Sequence, residues 1–142
     1  MPGAGLYKIY SSSVFEVTDG FDYLNAQAYL GFNVSEHVGI QLGHGKHYIG
    51  NGYRSLLLSD FANNYYHLKF NWRVWRFQLQ NIFAELSAQS GAGRDRLLPK
   101  KYMASHYLDY KVNKNLSFGF FETVIFNRNN QFEFQYFNPV IL

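Results

Sequence analysis

From Tyr23 to Val34 the chain alternates without a break. Leu24, Ala26, Ala28, Leu30, Phe32 and Val34 fall on one side, and Tyr23, Asn25, Gln27, Tyr29, Gly31 and Asn33 on the other. A period of two is the signature of an extended strand with one apolar and one polar face. The run is also long enough to cross a bilayer, for which a tilted strand needs about 9–11 residues. After a tight connection at Ser35-Glu36 the pattern resumes, with Val38, Ile40 and Leu42 against Gly39, Gln41 and Gly43. Two long strands joined so briefly run antiparallel.

The same logic predicts two more hairpins. Tyr66, Leu68, Phe70, Trp72 and Val74 alternate with His67, Lys69, Asn71 and Arg73. The chain reverses at Trp75-Arg76 and returns from Phe77 to Leu86, with a slip in the alternation at Gln80 and Asn81 that reads as a bulge. A third pair, Tyr102 to Val112 and Leu116 to Phe126, is joined by Asn113-Lys114-Asn115, whose asparagines tolerate the left-handed backbone of a short turn. Here Ala104, Leu108, Tyr110 and Val112 oppose Ser105, Tyr107, Asp109 and Lys111. Less regular strands are expected at Leu6 to Val17 and Gln131 to Asn138, and no helix is predicted. The expected fold is all-β: an antiparallel up-and-down meander of about eight long strands over residues 1–142, a partial or small transmembrane β-barrel.

Connections alternate between short and long, as in outer-membrane barrels with short periplasmic turns and longer external loops. Composition agrees: 20% of residues are aromatic, yet mean hydropathy is only −0.26. A wall with one greasy and one wet face reconciles the two numbers. Lys69, Arg73, Asp109 and Lys111 fall on the polar faces, where a water-filled lumen leaves charge hydrated. A soluble β-sandwich also alternates, so a soluble carbohydrate-binding β-module is the competing reading.

Several chemistries drop out. The chain has no cysteine, so no disulfide, thiolate nucleophile or cysteine-ligated metal is available. A net charge of +3 on scattered Lys and Arg residues argues against nucleic acid as a partner. No apolar run reaches the roughly 18 residues of a transmembrane helix. Glu122 and Glu133 are a weak basis for a glycosidase pair, and no nucleophile elbow is present. The expectation is a protein without enzymatic activity and without a cofactor.

The segment GHGKHYIGNGYRSLLLSD, residues 43–60, departs most from alternation. It lacks the Gly-Lys-Ser/Thr ending of a phosphate-binding loop. His44 and His47, three apart, point to opposite faces of an extended segment, and no carboxylate completes a metal site. Lys46, Tyr53 and Arg54 suit acidic or neutral sugars through charge-assisted bonds and ring stacking. The competing role for the segment is packing a loop into the lumen.

Three strings, GHGKHYIGNGYRSLLLSD (43–60), PKKYMASHYLDY (99–110) and FEFQYFNPVIL (132–142), resemble the capsule-assembly Wzi-like outer-membrane family, especially its gliding-motility RemB branch in Bacteroidota. The similarity runs from about Gly31 onward. It implies a bacterial outer-membrane barrel, with the lipid bilayer, surface polysaccharide and motility or capsule-export proteins as partners, and it does not imply catalysis. Binding candidates carried over are His44, Lys46, His47, Asn51 and Arg54, with Tyr53 added from the residue chemistry. Because such barrels are larger, the chain is expected to be an internal segment. MPGAGLYKIY has neither the charged nor the apolar region of a secretory signal, and the end at Leu142 lacks a terminal aromatic.

Overall fold

The computed structural model describes residues 26–51, 55–87, 100–127 and 133–138. Six strands form one antiparallel sheet in strict sequence order: β1 (Ala28–Ser35), β2 (Val38–Gly45), β3 (Tyr65–Val74), β4 (Phe77–Ser87), β5 (Lys100–Lys111) and β6 (Ser117–Phe126). The up-and-down meander and all three sequence-derived hairpins are present. The described sheet is open, because β1 and β6 are its two edges and do not pair. An eighth strand is not found at residues 133–138, and the expected strand at Leu6 to Val17 lies outside the described residues.

Register turns the alternation into two continuous faces. One row runs Val38, Trp72, Leu79, Leu108 and Phe120, and another runs Leu30, Leu42, Leu68, Phe83, Ala104 and Val124. The opposite face carries rows such as Gln41, Lys69, Ile82, Ser105 and Thr123. The connections β1–β2, β3–β4 and β5–β6 are short and share one end of the sheet. The strand ends that lead into the longer connections, Gly45, Tyr65, Ser87 and Lys100, lie at the other.

Three local expectations are corrected. There is no bulge at Gln80 and Asn81: the pairing of β4 with β3 and with β5 is unbroken there. The slip arises because Ile82, Ala84 and Leu86 turn apolar side chains to the polar face, where a loop covers them, while Asn81 stands on the apolar face. The one register irregularity is between Asn33 and Ser35. Second, Phe134–Phe137 form a one-turn 3-10 helix instead of a strand. Its Tyr136 ring stacks on Phe126 at 4.2 Å and Phe137 lies 4.4 Å from Phe83, so packing onto the sheet has replaced pairing at its edge. Third, the β5–β6 turn takes no left-handed asparagine. Asn113 instead accepts the Asn115 amide on its side-chain oxygen at 2.8 Å, and the Val112 amide closes the turn on the Leu116 carbonyl.

Burial concentrates at the long-loop end, on both faces. Ile49 and Leu58, joined by an isolated β-bridge, pack with Tyr65, Ile82, Ala84 and Met103 over the polar face. On the apolar face Phe83, Ala104 and Phe126 gather Leu68, Tyr102, Val124 and Tyr136. Within the sheet, glycine matters most at Gly43, where a Cβ would lie 2.7 Å from both the Ala28 carbonyl oxygen and Tyr29 Cβ. Backbone cannot yield as a side-chain tip can, so Gly43→Ala is expected to cost about 1–3 kcal/mol. Hydrogen exchange checks this, with faster exchange confined to β1 and β2. At Gly119 the obstacle is the tip of Tyr107, which can swing aside, so Gly119→Ala should be milder.

Candidate functional site

All four charged residues that the alternation put on a wet face, Lys69, Arg73, Asp109 and Lys111, do share one face. That polar face divides in two. Towards the short turns it is open, with a depression lined by Asn33, Gly39, Asn71, Arg73 and Gln78 among others. Gln80 donates from Nε2 to Asn71 Oδ1 at 3.0 Å, fixing two amides on this floor. Gly39, which pairs with Asn71, keeps the β2 side of the floor low. Amides and a guanidinium above a shallow floor present the donors and acceptors that sugar hydroxyls or acidic groups engage.

Towards the long loops the face is covered, and there the residues after β2 matter. The loop turns back over the sheet and is tied internally: Ile49 and Leu58 exchange backbone bonds, and Ser55 donates its hydroxyl to the Ile49 carbonyl. Gly50 has φ 119°, a backbone conformation that glycine adopts freely. The docked loop brings His47 onto His67, with ring centroids 4.1 Å apart and Tyr65 at 6.0 Å. Nε2 of both imidazoles is buried without a hydrogen-bond partner among the described residues. Burial first, then the neighbouring His67 and Lys69, push the His47 imidazole down to about 4, so it is neutral near pH 7.

The sign of the resulting pH dependence follows from linkage. An unfolded His47 titrates near its ordinary value of 6.5, whereas the docked one resists protonation to about 4. Below about 6.5 the undocked state therefore binds the extra proton, and docking weakens as pH falls toward 4. Protease cleavage of residues 46–64 is expected to speed up between pH 7.5 and 4.5, and His47→Phe to flatten that dependence.

The four described members of the six sequence-derived candidates do not converge. His44 stands on the apolar face, donating from Nδ1 to the Ala26 carbonyl at 2.9 Å with its ring 4.7 Å from Tyr66. His47 lies on the polar side against His67, as the three-residue spacing implied. Lys46 is half-buried beside it in sequence, and Asn51 is exposed. Tyr53 and Arg54 lie outside the described residues. Among the described residues no three His, Cys, Asp or Glu side chains gather as a metal site would require.

Two groupings went unseen in the sequence. His67 and Tyr65 join His47 only because a long loop docks. On the apolar face Asn81, His106 and Glu122 form a cross-strand row, with Asn81 Nδ2 donating to His106 Nδ1 at 3.1 Å. Asn81 and His106 are buried there. Glu133, the other carboxylate considered for acid/base work, precedes the 3-10 turn and accepts from Gln135.

Comparison with the models of known families, with curated proteins and with solved structures finds no match to this chain.

Proposed function

We propose that the chain is a wall segment of a bacterial outer-membrane β-barrel that helps hold or organise surface polysaccharide, without catalysing a reaction. One observation carries this reading: the sheet separates its side chains by face. Leu30, Phe32, Leu42, Trp72, Val74, Phe118 and Phe120 are exposed on one side, and Lys69, Arg73, Asp109 and Lys111 are on the other, with Glu85 and Glu122 the strand carboxylates that share the apolar face. A water-soluble wall rarely leaves so wide an apolar area uncovered, whereas a bilayer covers it. The strands, 8 to 12 residues long, match a tilted crossing, and short turns at one end match the periplasmic side of such barrels. In this reading further strands continue the wall at the β1 and β6 edges, because an edge left open in lipid strands unsatisfied backbone groups. The loop of residues 46–64 lies over the lumen, and the open polar floor of Asn71, Arg73 and Lys69 is where glycan is engaged. Motility or capsule-export proteins are the partners that the family resemblance suggests.

Fractionation tests the placement: the protein that carries this chain is expected in the outer-membrane pellet, resistant to alkaline carbonate. Recovery in the soluble periplasm would contradict it. Lys69→Gln with Arg73→Gln is expected to reduce surface-glycan retention at unchanged protein level.

A soluble carbohydrate-binding β-module is the second reading, and the docked 3-10 turn favours it, since Phe83 and Phe126 are buried there by protein alone. It predicts monomeric solubility without detergent. The exposed residues nearer the short turns and on β1 and β2 weigh against it.

A further inference from the structure

The β3–β4 turn breaks the chemistry expected of a two-residue hairpin loop. Such turns favour Gly, Asn or Asp where φ is positive, yet Trp75 occupies that position with φ 54°, the one non-glycine with positive φ among the described residues. It is also 76% exposed, so burial does not compensate for the strained backbone. What surrounds it is specific. Arg76 places its guanidinium 5.0 Å from the centre of the indole ring and donates from Nη1 to the Val112 carbonyl at 2.9 Å, linking this turn to the β5–β6 turn. Phe77 lies 6.2 Å from the Trp75 ring and stacks on Tyr110 at 4.6 Å, and Phe118 pairs with Tyr110 across β5 and β6. Lys114 is exposed at the same end, in the β5–β6 turn, while Arg73 and Lys111 stand there on the polar face.

Resting on the membrane-wall reading above, we infer that the Trp75-Arg76 turn is a membrane-interface anchor, its indole at headgroup depth and Arg76 and Lys114 engaging the phosphates of anionic phospholipid in the periplasmic leaflet. Indole rings settle where one edge is apolar and the other wet. Cations beside them meet the negative surface potential of anionic lipid, each contributing about fivefold in binding when near the surface. The aromatic belt fixes depth, and the basic turns fix which end faces the phospholipid. Strain at Trp75 is the cost of holding the indole outward at the tip.

With Trp72→Phe in place, Trp75 is the sole indole. The chain is reconstituted in vesicles of phosphatidylcholine with and without 30% phosphatidylglycerol (~30%, enough for a definite surface potential). Phosphatidylcholines brominated at shallow or deep acyl positions serve as quenchers. Shallow quenching stronger than deep is expected, together with a preference for the anionic vesicles. Arg76→Gln with Lys114→Gln should reduce that preference by about 25-fold, two cations at about fivefold each. A water-like Trp75 spectrum, or equal behaviour on neutral and anionic vesicles, would overturn the anchor. A Phe118→Trp reporter, made with Trp72→Phe and Trp75→Phe, separates the two levels of failure. If that reporter is quenched while Trp75 is not, the anchor falls and the wall reading stands. If neither is quenched, both fall.

Discussion

On the proposed membrane reading, Phe120→Arg is expected to destabilise the sheet by about 2–4 kcal/mol, the cost of arginine on a lipid face near mid-bilayer. Phe120 is 64% exposed, pairs with Leu108, and ends the row of Val38, Trp72, Leu79 and Leu108. In water a side chain so exposed is replaceable at about ±0.5 kcal/mol. The size of the effect therefore reports the solvent as much as the protein. Asn71→Arg, on the polar floor next to Lys69 and Arg73 in β3, is the paired control and should lie near zero if that floor faces water. Denaturant unfolding from lipid vesicles measures both. A small and equal response at the two positions would count for the soluble module.

The second large effect is expected at Ile82. Its side chain is fully buried on the polar face, in the cluster with Ile49 of the docked loop, Tyr65, Ala84 and Met103. Ile82→Ala removes apolar contact and leaves a cavity between sheet and loop, a combination that costs about 2–5 kcal/mol in well-packed cores. The loop has backbone bonds to itself through Ile49 and Leu58, but much of its hold on the sheet is this apolar contact. The loss should thus appear first as release of residues 46–64, with early proteolysis there and β5–β6 pairing intact. Ile82→Val, which keeps most of the volume, should cost about 1 kcal/mol.

These two sites also mark where the sequence was readable and where it was not. Phe120 sits on the exposed stretch of β6 nearer the short turn, so its alternation reports its orientation directly. The stretches of β1, β2, β3 and β6 nearer the short turns read correctly for the same reason, although β1 begins at Ala28 and leaves Ala26 and Gln27 outside the strand expected from Tyr23. Ile82 sits where a loop covers one face and the 3-10 turn covers part of the other, so apolar residues appear on both sides of the strand and the period of two fails. The slip at Gln80 and Asn81 looked like a bulge because backbone irregularity and two-sided burial leave the same trace. Residues 133–138 misled similarly: their aromatic content suits a strand, and only contacts with Phe83 and Phe126 select a packed turn. The site was legible in part. Spacing correctly separated His44 from His47, but nothing local places His67 under His47, since that meeting depends on how residues 46–64 return across the sheet. Trp75-Arg76 was recognised as a reversal from the hydrophobic pattern on either side of it, although neither residue is a turn former.

The central claim is that lipid covers one face of this sheet and water the other. Because the chain has no native cysteine, single cysteines report each face cleanly. Leu30→Cys, Leu42→Cys and Phe120→Cys sample the apolar face, and Gln41→Cys and Asn71→Cys the polar one. In native outer membranes, a charged maleimide is expected to label the polar-face cysteines and to spare the apolar-face set, which should react only after detergent solubilisation. Equal labelling of Leu30→Cys, Phe120→Cys and Asn71→Cys in intact membranes would contradict the account.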